Sequence, residues 1–153
     1  MDISFHRITK NAQETQSLGE EFGHSLLGEH TGVAVCLWGE LGSGKTTFTQ
    51  GVARGLGIQN RLLSPTFIIV RRYSIPVSDR LLYHMDLYRL HDRASIASVG
   101  YFDIVDAHDA YVLVEWPERL EGALPVPRVD IHFVVLEDGS HEIRGSSYGY
   151  NTH

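Results

Sequence analysis

The sequence contains a single cysteine, Cys36, so it cannot form an internal disulfide. It has no run approaching the roughly 18 consecutive apolar residues of a membrane-spanning helix. Its first residues lack the charged start and apolar stretch of a secretory signal. We therefore expect a cytoplasmic protein without membrane contact. The histidines show neither zinc-finger nor metalloprotease spacing. His84 and Asp86 could form half of a metal site, but a packed or surface histidine is the stronger interpretation of His84.

Basic side chains are in the minority, because 13 Lys and Arg stand against 19 Asp and Glu and give a net charge of −6. An acidic chain repels the phosphate backbone of nucleic acids. Any role on a nucleic acid is therefore expected to pass through partner proteins. The chain length of 153 residues suits one compact domain. We expect this domain to span residues 1–145 and residues 146–153, rich in Gly, Ser and Tyr, to form a disordered tail.

Apolar periodicity and the positions of Gly and Pro predict the order of helices and strands. The expected elements are a helix capped by Thr9 or Asn11 and running to about Leu27, a buried strand over 33–38, a helix from near Lys45 to before Gly57, a hairpin of strands over 66–73 and 81–86, a helix over 93–105 broken near Gly100, a buried strand over 111–115, and strands over 129–136 and 141–144. This order predicts an α/β fold with a P-loop NTPase-like mixed β-sheet flanked by helices. Gly51 and Gly55 weaken the second helix by ~1 kcal/mol each relative to Ala, so packing must compensate.

The most specific motif follows the first buried strand and fits the pattern G-x-x-x-x-G-K-[ST] at every fixed position. Its residues are Gly39, Glu40, Leu41, Gly42, Ser43, Gly44, Lys45 and Thr46. The glycines let backbone N–H groups turn toward phosphate oxygens, and the helix that follows presents its positive end to the same anion. Lys45 is expected to contact the β and γ phosphates, and the Thr46 hydroxyl to bind Mg²⁺. The motif therefore predicts binding of ATP with Mg²⁺.

Two carboxylates and one threonine are candidates to complete the site. Glu115 ends the buried strand over 111–115 and suits a magnesium-positioning role, although a strand-end residue facing solvent is the alternative. Asp86 could bind magnesium through water or act as general base, and a helix-capping role is equally compatible with its position. Thr66 could approach the γ-phosphate or simply begin a strand. Trp116 could cover the nucleotide, contact a partner or pack internally.

Four segments in this order resemble the TsaE (YjeE) family, which are small ATPases of bacterial tRNA threonylcarbamoyladenosine synthesis. They are Gly-Glu-Leu-Gly-Ser-Gly-Lys-Thr-Thr-Phe-Thr at 39–49, Ser-Pro-Thr-Phe at 64–67, His-Met-Asp-Leu-Tyr-Arg-Leu at 84–90 and Val-Glu-Trp-Pro-Glu-Arg at 114–119. Glu14-Thr15 with Leu18-Gly19 is a weaker fifth match. The resemblance covers residues 8 to 136. The segments at 84–90 and 114–119 are more specific to this family than the phosphate loop is.

The resemblance implies roles for particular positions. The phosphate loop through Lys45, Thr46 and Thr47 would hold ATP or ADP, and Thr46, Glu115 and Asp86 would form the Mg²⁺ site. Lys45, Asp86 and Glu115 would be catalytic, Thr66 would be a switch-like threonine, and Glu14 and Thr15 would lie near the adenine. TsaE-like proteins act with TsaB and TsaD, so tRNA contact would be indirect, through these partners. ATP turnover would support repeated cycles of the TsaB–TsaD complex.

Two other functions are compatible with a phosphate loop. A small-molecule kinase also pairs the loop with carboxylates, but it usually needs an arginine-bearing lid, and this chain offers only Arg89, Arg93 and Arg119 without a long insertion. A GTPase-like switch would carry an Asn/Thr-Lys-x-Asp guanine signature, which the sequence lacks. We therefore expect adenine rather than guanine recognition, and an ATPase rather than a kinase.

Overall fold

The computed structural model describes residues 1–59 and 69–150. In chain order its elements are β1 (Ser4–Thr9), α1 (Ala12–Leu26), β2 (Ala34–Trp38), α2 (Lys45–Gly55), β3 (Val70–Ser74), β4 (Leu81–Asp86), α3 (Arg93–Ser98), α4 (Tyr101–Asp106), β5 (Tyr111–Glu115), a 3₁₀ segment (Pro117–Ala123), β6 (Arg128–Val135) and β7 (His141–Tyr148). The predicted helices and strands occur in the predicted order in this part of the chain, including the break at Gly100, and β1 precedes them as an additional strand. The predicted strand start at Thr66 lies outside the described residues.

The strands form one mixed sheet of seven, in the order β1-β7-β6-β2-β5-β4-β3. The central strand β2 runs parallel to β5 and β6, and β4 runs parallel to β5. The outer pairs β1–β7, β6–β7 and β3–β4 are antiparallel. The predicted mixed α/β sheet flanked by helices is therefore confirmed.

Two apolar clusters cover the two faces of the sheet. One face packs α1 and α2 on the sheet through side chains such as Phe22, Phe48 and Leu113. The other face packs Met85 and Val114 against Ile96 of α3 and Tyr101 of α4. Burial on both faces explains why β2 and β5 read as continuously apolar runs.

The start of α1 is fixed by two side-chain hydrogen bonds that resemble a capping box, although the second one reaches the residue before the N-cap. Asn11 is the N-cap, and its Oδ1 accepts a hydrogen bond from the Glu14 backbone N–H at 2.8 Å. The Glu14 carboxylate in turn accepts from the Lys10 backbone N–H at 3.1 Å. The cap at Asn11 is the second of the two predicted positions. It defines the N-terminal start of α1, which lies beside the phosphate loop.

Close contact between α1 and α2 explains the glycines that weaken α2. A Cβ at Gly51 would lie 2.1 Å from the Gln16 carbonyl oxygen, and one at Gly55 would lie 2.2 Å from that of Glu20. The contact is reciprocal, because a Cβ at Gly19 would lie 2.2 Å from the Phe48 carbonyl oxygen. The predicted compensation by packing is therefore present, since glycine lets the two backbones approach directly.

The two ends of the described chain differ from the sequence analysis. Residues 4–9, for which no element was predicted, form the edge strand β1. Residues 146–148, predicted to begin a disordered tail, belong to β7 and pair with β1 or β6. Gly145, which follows the predicted strand over 141–144, lies under the ring of Phe5, whose Cε1 is 2.2 Å from where a Cβ would stand. A glycine inside a strand here marks close approach by a neighbouring ring.

In the two described ranges, we find no helix with the length and apolar character that a membrane crossing requires.

Candidate nucleotide-binding site

The phosphate loop connects the end of β2 to the start of α2, as its sequence predicts. Gly42 and Gly44 adopt φ angles of 77° and 106°, in a region that only glycine enters readily. Gly44 is the N-cap of α2 and supplies no side-chain hydrogen bond to the helix. The first N–H groups of an α-helix have no intrahelical acceptor. The start of α2 therefore offers free donors and the positive end of the helix dipole at this loop.

The Lys45 side chain is 5% exposed and turns back over the loop. Its Nζ donates a hydrogen bond to the Gly39 carbonyl oxygen at 2.5 Å and lies 4.3 Å from the centroid of the Trp116 ring. A buried ammonium group needs such polar and π-electron partners. These contacts hold a positive charge at the loop.

A cavity of about 360 Å³ opens beside the loop. The residues around it come from α1, the loop, the start of α2, the ends of β4 and β5, and the start of β7: Ala12, Thr15, Leu41, Gly42, Gly44, Lys45, Thr46, Thr47, Asp86, Glu115, Trp116 and His141. The structure thus brings Lys45, Thr46, Asp86 and Glu115 to one cavity. Leu41 is 77% exposed, and Thr46 is exposed too.

Not every predicted contact residue lines this cavity. Gly39, Glu40 and Ser43 belong to the loop but are not part of the cavity wall. Thr15 lines it, whereas its neighbour Glu14 is engaged in the cap of α1. Thr66 lies outside the described residues, so its predicted switch role stays a prediction.

The sheet register explains why the two carboxylates meet. Asp86 and Glu115 are the last residues of the parallel neighbours β4 and β5, and they pair directly with each other. Glu115 also pairs with Leu37, one residue before the end of β2, from which the phosphate loop leaves. Ligand sites of open α/β sheets lie outside the carboxyl ends of parallel strands. The carboxylates therefore face the same edge as the phosphate loop.

Glu115 is buried, which excludes the alternative of a strand end facing solvent. The residue is 4% exposed, and its Oε2 accepts a hydrogen bond from His84 Nε2 at 2.6 Å. His84, for its part, is 1% exposed. The sequence predicted a packed or surface histidine, and the histidine is packed, but no pattern in the sequence indicated its carboxylate partner.

Asp86 is half-buried and also holds a turn. Its Oδ1 accepts from the Tyr88 backbone N–H at 3.0 Å. Residues 87–90 form a turn rather than a helix, so the helix-capping alternative is wrong and a turn-stabilising role takes its place. Burial raises the pKa of the Asp86 carboxyl above its ordinary value, the Tyr88 N–H opposes this shift, and the nearby Glu115 reinforces it.

The raised pKa gives a testable pH dependence. An acid whose pKa is higher in the folded state stabilises the fold at a pH below the unfolded value of 3.8, and this contribution is lost as the pH rises through the folded pKa. Asp86→Asn keeps an oxygen for the Tyr88 N–H but cannot ionise. Without Mg²⁺ or nucleotide, we expect Asp86→Asn to melt at a higher temperature than the wild type at pH 7. The difference should shrink toward pH 4 in thermal unfolding followed by circular dichroism, and a constant difference would contradict the assignment.

Two further residues shape the cavity: His141, which the sequence did not single out, and Trp116, for which it left a nucleotide-covering, a partner-contacting and a packing role open. His141 at the start of β7 lies against Gly44, with its Nδ1 2.9 Å from where a Cβ would stand. That Nδ1 is buried and has no hydrogen-bond partner in residues 1–59 and 69–150. Trp116 has a positive φ of 61° and its ring centroid lies 4.9 Å from that of Tyr88. The tryptophan therefore both packs internally and lines the cavity.

The donor set at the cavity fits magnesium but not a metal held by protein alone. Among the described residues no group of three or more His, Cys, Asp or Glu could hold a metal ion. Mg²⁺ is usually held by one or two carboxylates together with substrate phosphates and water. Asp86, Glu115 and the Thr46 hydroxyl supply hard oxygen ligands of this kind. The buried Ser43 Oγ, which lacks a hydrogen-bond partner in the described part of the chain, leaves a further polar group at the loop.

Comparison with known proteins adds a family match. Residues 9–143 match the family model described as threonylcarbamoyl adenosine biosynthesis protein TsaE. The chain is similar to proteins named tRNA threonylcarbamoyladenosine biosynthesis protein TsaE from several bacteria. It is 38% identical to the one from Treponema pallidum over 136 residues, 89% of this chain and 96% of the relative. It is 36% identical to the Haemophilus influenzae protein, over 78% of this chain and 75% of the relative.

A solved structure is similar over nearly the whole chain. The crystal structure of Bacillus subtilis YdiB superposes with a TM-score of 0.73 and 31% sequence identity, and the match covers 97% of this chain and 88% of that one. The fold seen here is therefore shared with an experimentally determined structure.

Proposed function

The chain belongs to the TsaE family of tRNA threonylcarbamoyladenosine biosynthesis proteins, and from that premise we propose that it is a Mg²⁺-dependent ATPase. In this proposal its ATP turnover supports the work of TsaB and TsaD on tRNA. The proposal rests chiefly on one observation: Lys45, Thr46, Asp86 and Glu115 line a single cavity beside a glycine-rich loop at a helix start.

Both the phosphate end and the base end of ATP have candidate partners in this cavity. The free N–H groups at the start of α2 and the Lys45 ammonium would bind the β and γ phosphates. Thr15 belongs to the wall formed by α1, whereas Asp86 and Glu115 belong to the wall formed by the strand ends. The terminal phosphate would therefore lie toward the carboxylates and the base toward α1.

Thr46, Glu115 and Asp86 would hold the magnesium ion. Once bound, Mg²⁺ would neutralise charge on the β and γ phosphate oxygens as it builds up during transfer. Glu115 Oε2 is already occupied by the His84 hydrogen bond, whereas burial raises the pKa of Asp86 and makes it a stronger proton acceptor than an ordinary aspartate. We therefore assign Glu115 to direct positioning of the ion. Asp86 would meet the ion only through water, and it would accept a proton from the attacking water.

The charge of the chain supports an indirect role on tRNA. With a net charge of −6, the protein offers little general attraction for a phosphate backbone. TsaB and TsaD would then carry the tRNA contact, and the chain would contribute ATP turnover to their complex.

The small-molecule kinase remains the second candidate, and the arginines bear on it. A kinase closes arginines over the transferred phosphate. Arg89, Arg93 and Arg119 are not among the residues that line the cavity, and the Arg93 guanidinium instead lies over the Phe102 ring at 4.7 Å. This arrangement favours the ATPase.

Phosphate release measured with and without the partners tests the proposal. We expect slow hydrolysis of ATP by the chain alone, several-fold faster hydrolysis with TsaB and TsaD, and no comparable hydrolysis of GTP. The reaction should stop when EDTA removes Mg²⁺. Transfer of phosphate to a free metabolite at a rate similar to hydrolysis would favour the kinase instead, and equal rates with and without the partners would remove the proposed link to TsaB and TsaD.

A further inference from the structure

We propose that His84 is a positioning residue that holds the Glu115 carboxylate in place for a divalent cation bound with the nucleotide. This inference rests on the proposed function, because it assigns a role within the same site. His84 would not touch nucleotide or metal itself, since it is absent from the cavity wall whereas Glu115 lines it.

The hydrogen bond between the two side chains is short and shielded from water. His84 Nε2 and Glu115 Oε2 are 2.6 Å apart, and the side chains are 1% and 5% exposed. An ionised carboxylate only accepts hydrogen bonds, so Nε2 carries the proton and donates it. A charge-assisted bond in a buried setting is stronger and more directional than one at the surface.

The sheet fixes the position from which this bond is made. His84 lies two residues before Asp86 on β4, so both side chains are on the same face of the strand. On β5, His84 pairs with Leu113 and Asp86 pairs with Glu115. The Glu115 side chain therefore meets a histidine on its inner side, while the residue also lines the cavity.

A donor behind a metal-binding carboxylate has a recognised physical effect. It restricts the carboxylate to one orientation, and loss of such a partner typically lowers metal affinity or activity by 10–100-fold. Without the His84 bond, the Glu115 carboxylate would be buried with an unsatisfied oxygen, which favours rotation away from its binding orientation. We therefore expect loss of the His84 bond to weaken cation binding strongly and to leave phosphate binding by the loop almost unchanged.

A pair of amide substitutions separates the hydrogen bond from general packing. Gln places its side-chain N–H₂ at about the reach of histidine Nε2, whereas Asn is one methylene shorter and cannot span to Glu115. His84→Gln and His84→Asn therefore share chemistry but differ in the contact. Binding of a fluorescent ADP analogue is measured in EDTA and then across a series of Mg²⁺ concentrations, with thermal unfolding as the check on folding.

For His84→Asn we expect the Mg²⁺ concentration at half-maximal effect to rise by roughly 10-fold or more, with the affinity in EDTA close to that of the wild type. His84→Gln should stay near the wild-type Mg²⁺ dependence. A wild-type Mg²⁺ dependence in folded His84→Asn would overturn the proposal, as would equal losses in both variants. If His84→Asn does not fold, the result for His84→Gln decides. A rise of its half-maximal Mg²⁺ concentration by roughly 10-fold or more would overturn the positioning role.

These outcomes are distinct from failure of the proposed function. If the wild type binds no nucleotide at all, both the function and the role of His84 fall. If the wild type binds the nucleotide with Mg²⁺ and His84→Asn changes nothing, only the role of His84 falls.

Discussion

Replacing Lys45 by alanine is expected to reduce kcat/KM for ATP by at least about 100-fold while leaving the fold intact. Lys45 carries the positive charge at the phosphate loop, with its Nζ near the Gly39 carbonyl oxygen and the Trp116 ring. Hydrogen bonds to charged groups contribute roughly 1.5–3 kcal/mol each, and a loss of about 3 kcal/mol corresponds to roughly 100-fold. Phosphate release in the presence of TsaB and TsaD is the measurement.

The chain provides a matched control for this substitution. Lys10 is exposed, and it meets Glu14 through its backbone N–H, which alanine retains. Lys10→Ala removes the same charge from the protein but leaves the cavity unchanged. A wild-type rate in Lys45→Ala, or an equal loss in Lys10→Ala, would contradict the role of the loop.

Replacing Gly51 by alanine is expected to lower the free energy of unfolding by about 2–3 kcal/mol, because overpacking forces shifts of side chains and backbone. The new Cβ would stand 2.1 Å from the Gln16 carbonyl oxygen and 3.0 Å from the Glu20 backbone nitrogen. Alanine improves helix propensity by only ~1 kcal/mol, so the clash dominates. The melting temperature should fall by roughly 5–10 °C in calorimetric or circular dichroism melts.

Gly122→Ala is the control for this stability effect. Nothing lies within 4 Å of a Cβ built at Gly122, and the residue is exposed. Its melting temperature should stay within about 1–2 °C of the wild type, since surface substitutions usually change stability by less than ~0.5 kcal/mol. A Gly51→Ala variant as stable as Gly122→Ala would show that α1 and α2 can separate without loss.

The helices and central strands of the fold could be predicted well because each is indicated by a pattern of residues close together in the sequence. The apolar run of β2, the glycines of the loop and the amphipathic spacing of α1 each identify one element without knowledge of the rest. Asp86 and Glu115 could be identified as candidates for the same reason, because each ends an apolar segment. Their direct pairing follows from the parallel register of β4 and β5, which only the structure shows.

What the sequence did not reveal depends on partners distant in the chain. β1 is a half-exposed edge strand, and its pairing with β7 joins the first and last parts of the described chain. Gly145 resembled a loop residue because the ring of Phe5 that covers it lies 140 positions earlier. The bond between His84 and Glu115 joins residues 31 positions apart, so no spacing rule could have indicated it.

Calorimetric titration of ATP into the purified chain, with and without Mg²⁺, tests the central claim most directly. Saturable binding at one site per chain is predicted, tighter with Mg²⁺ and absent in Lys45→Ala. If the wild type shows no saturable binding, or if Lys45→Ala binds ATP as well as the wild type does, the cavity beside the loop is not an ATP site.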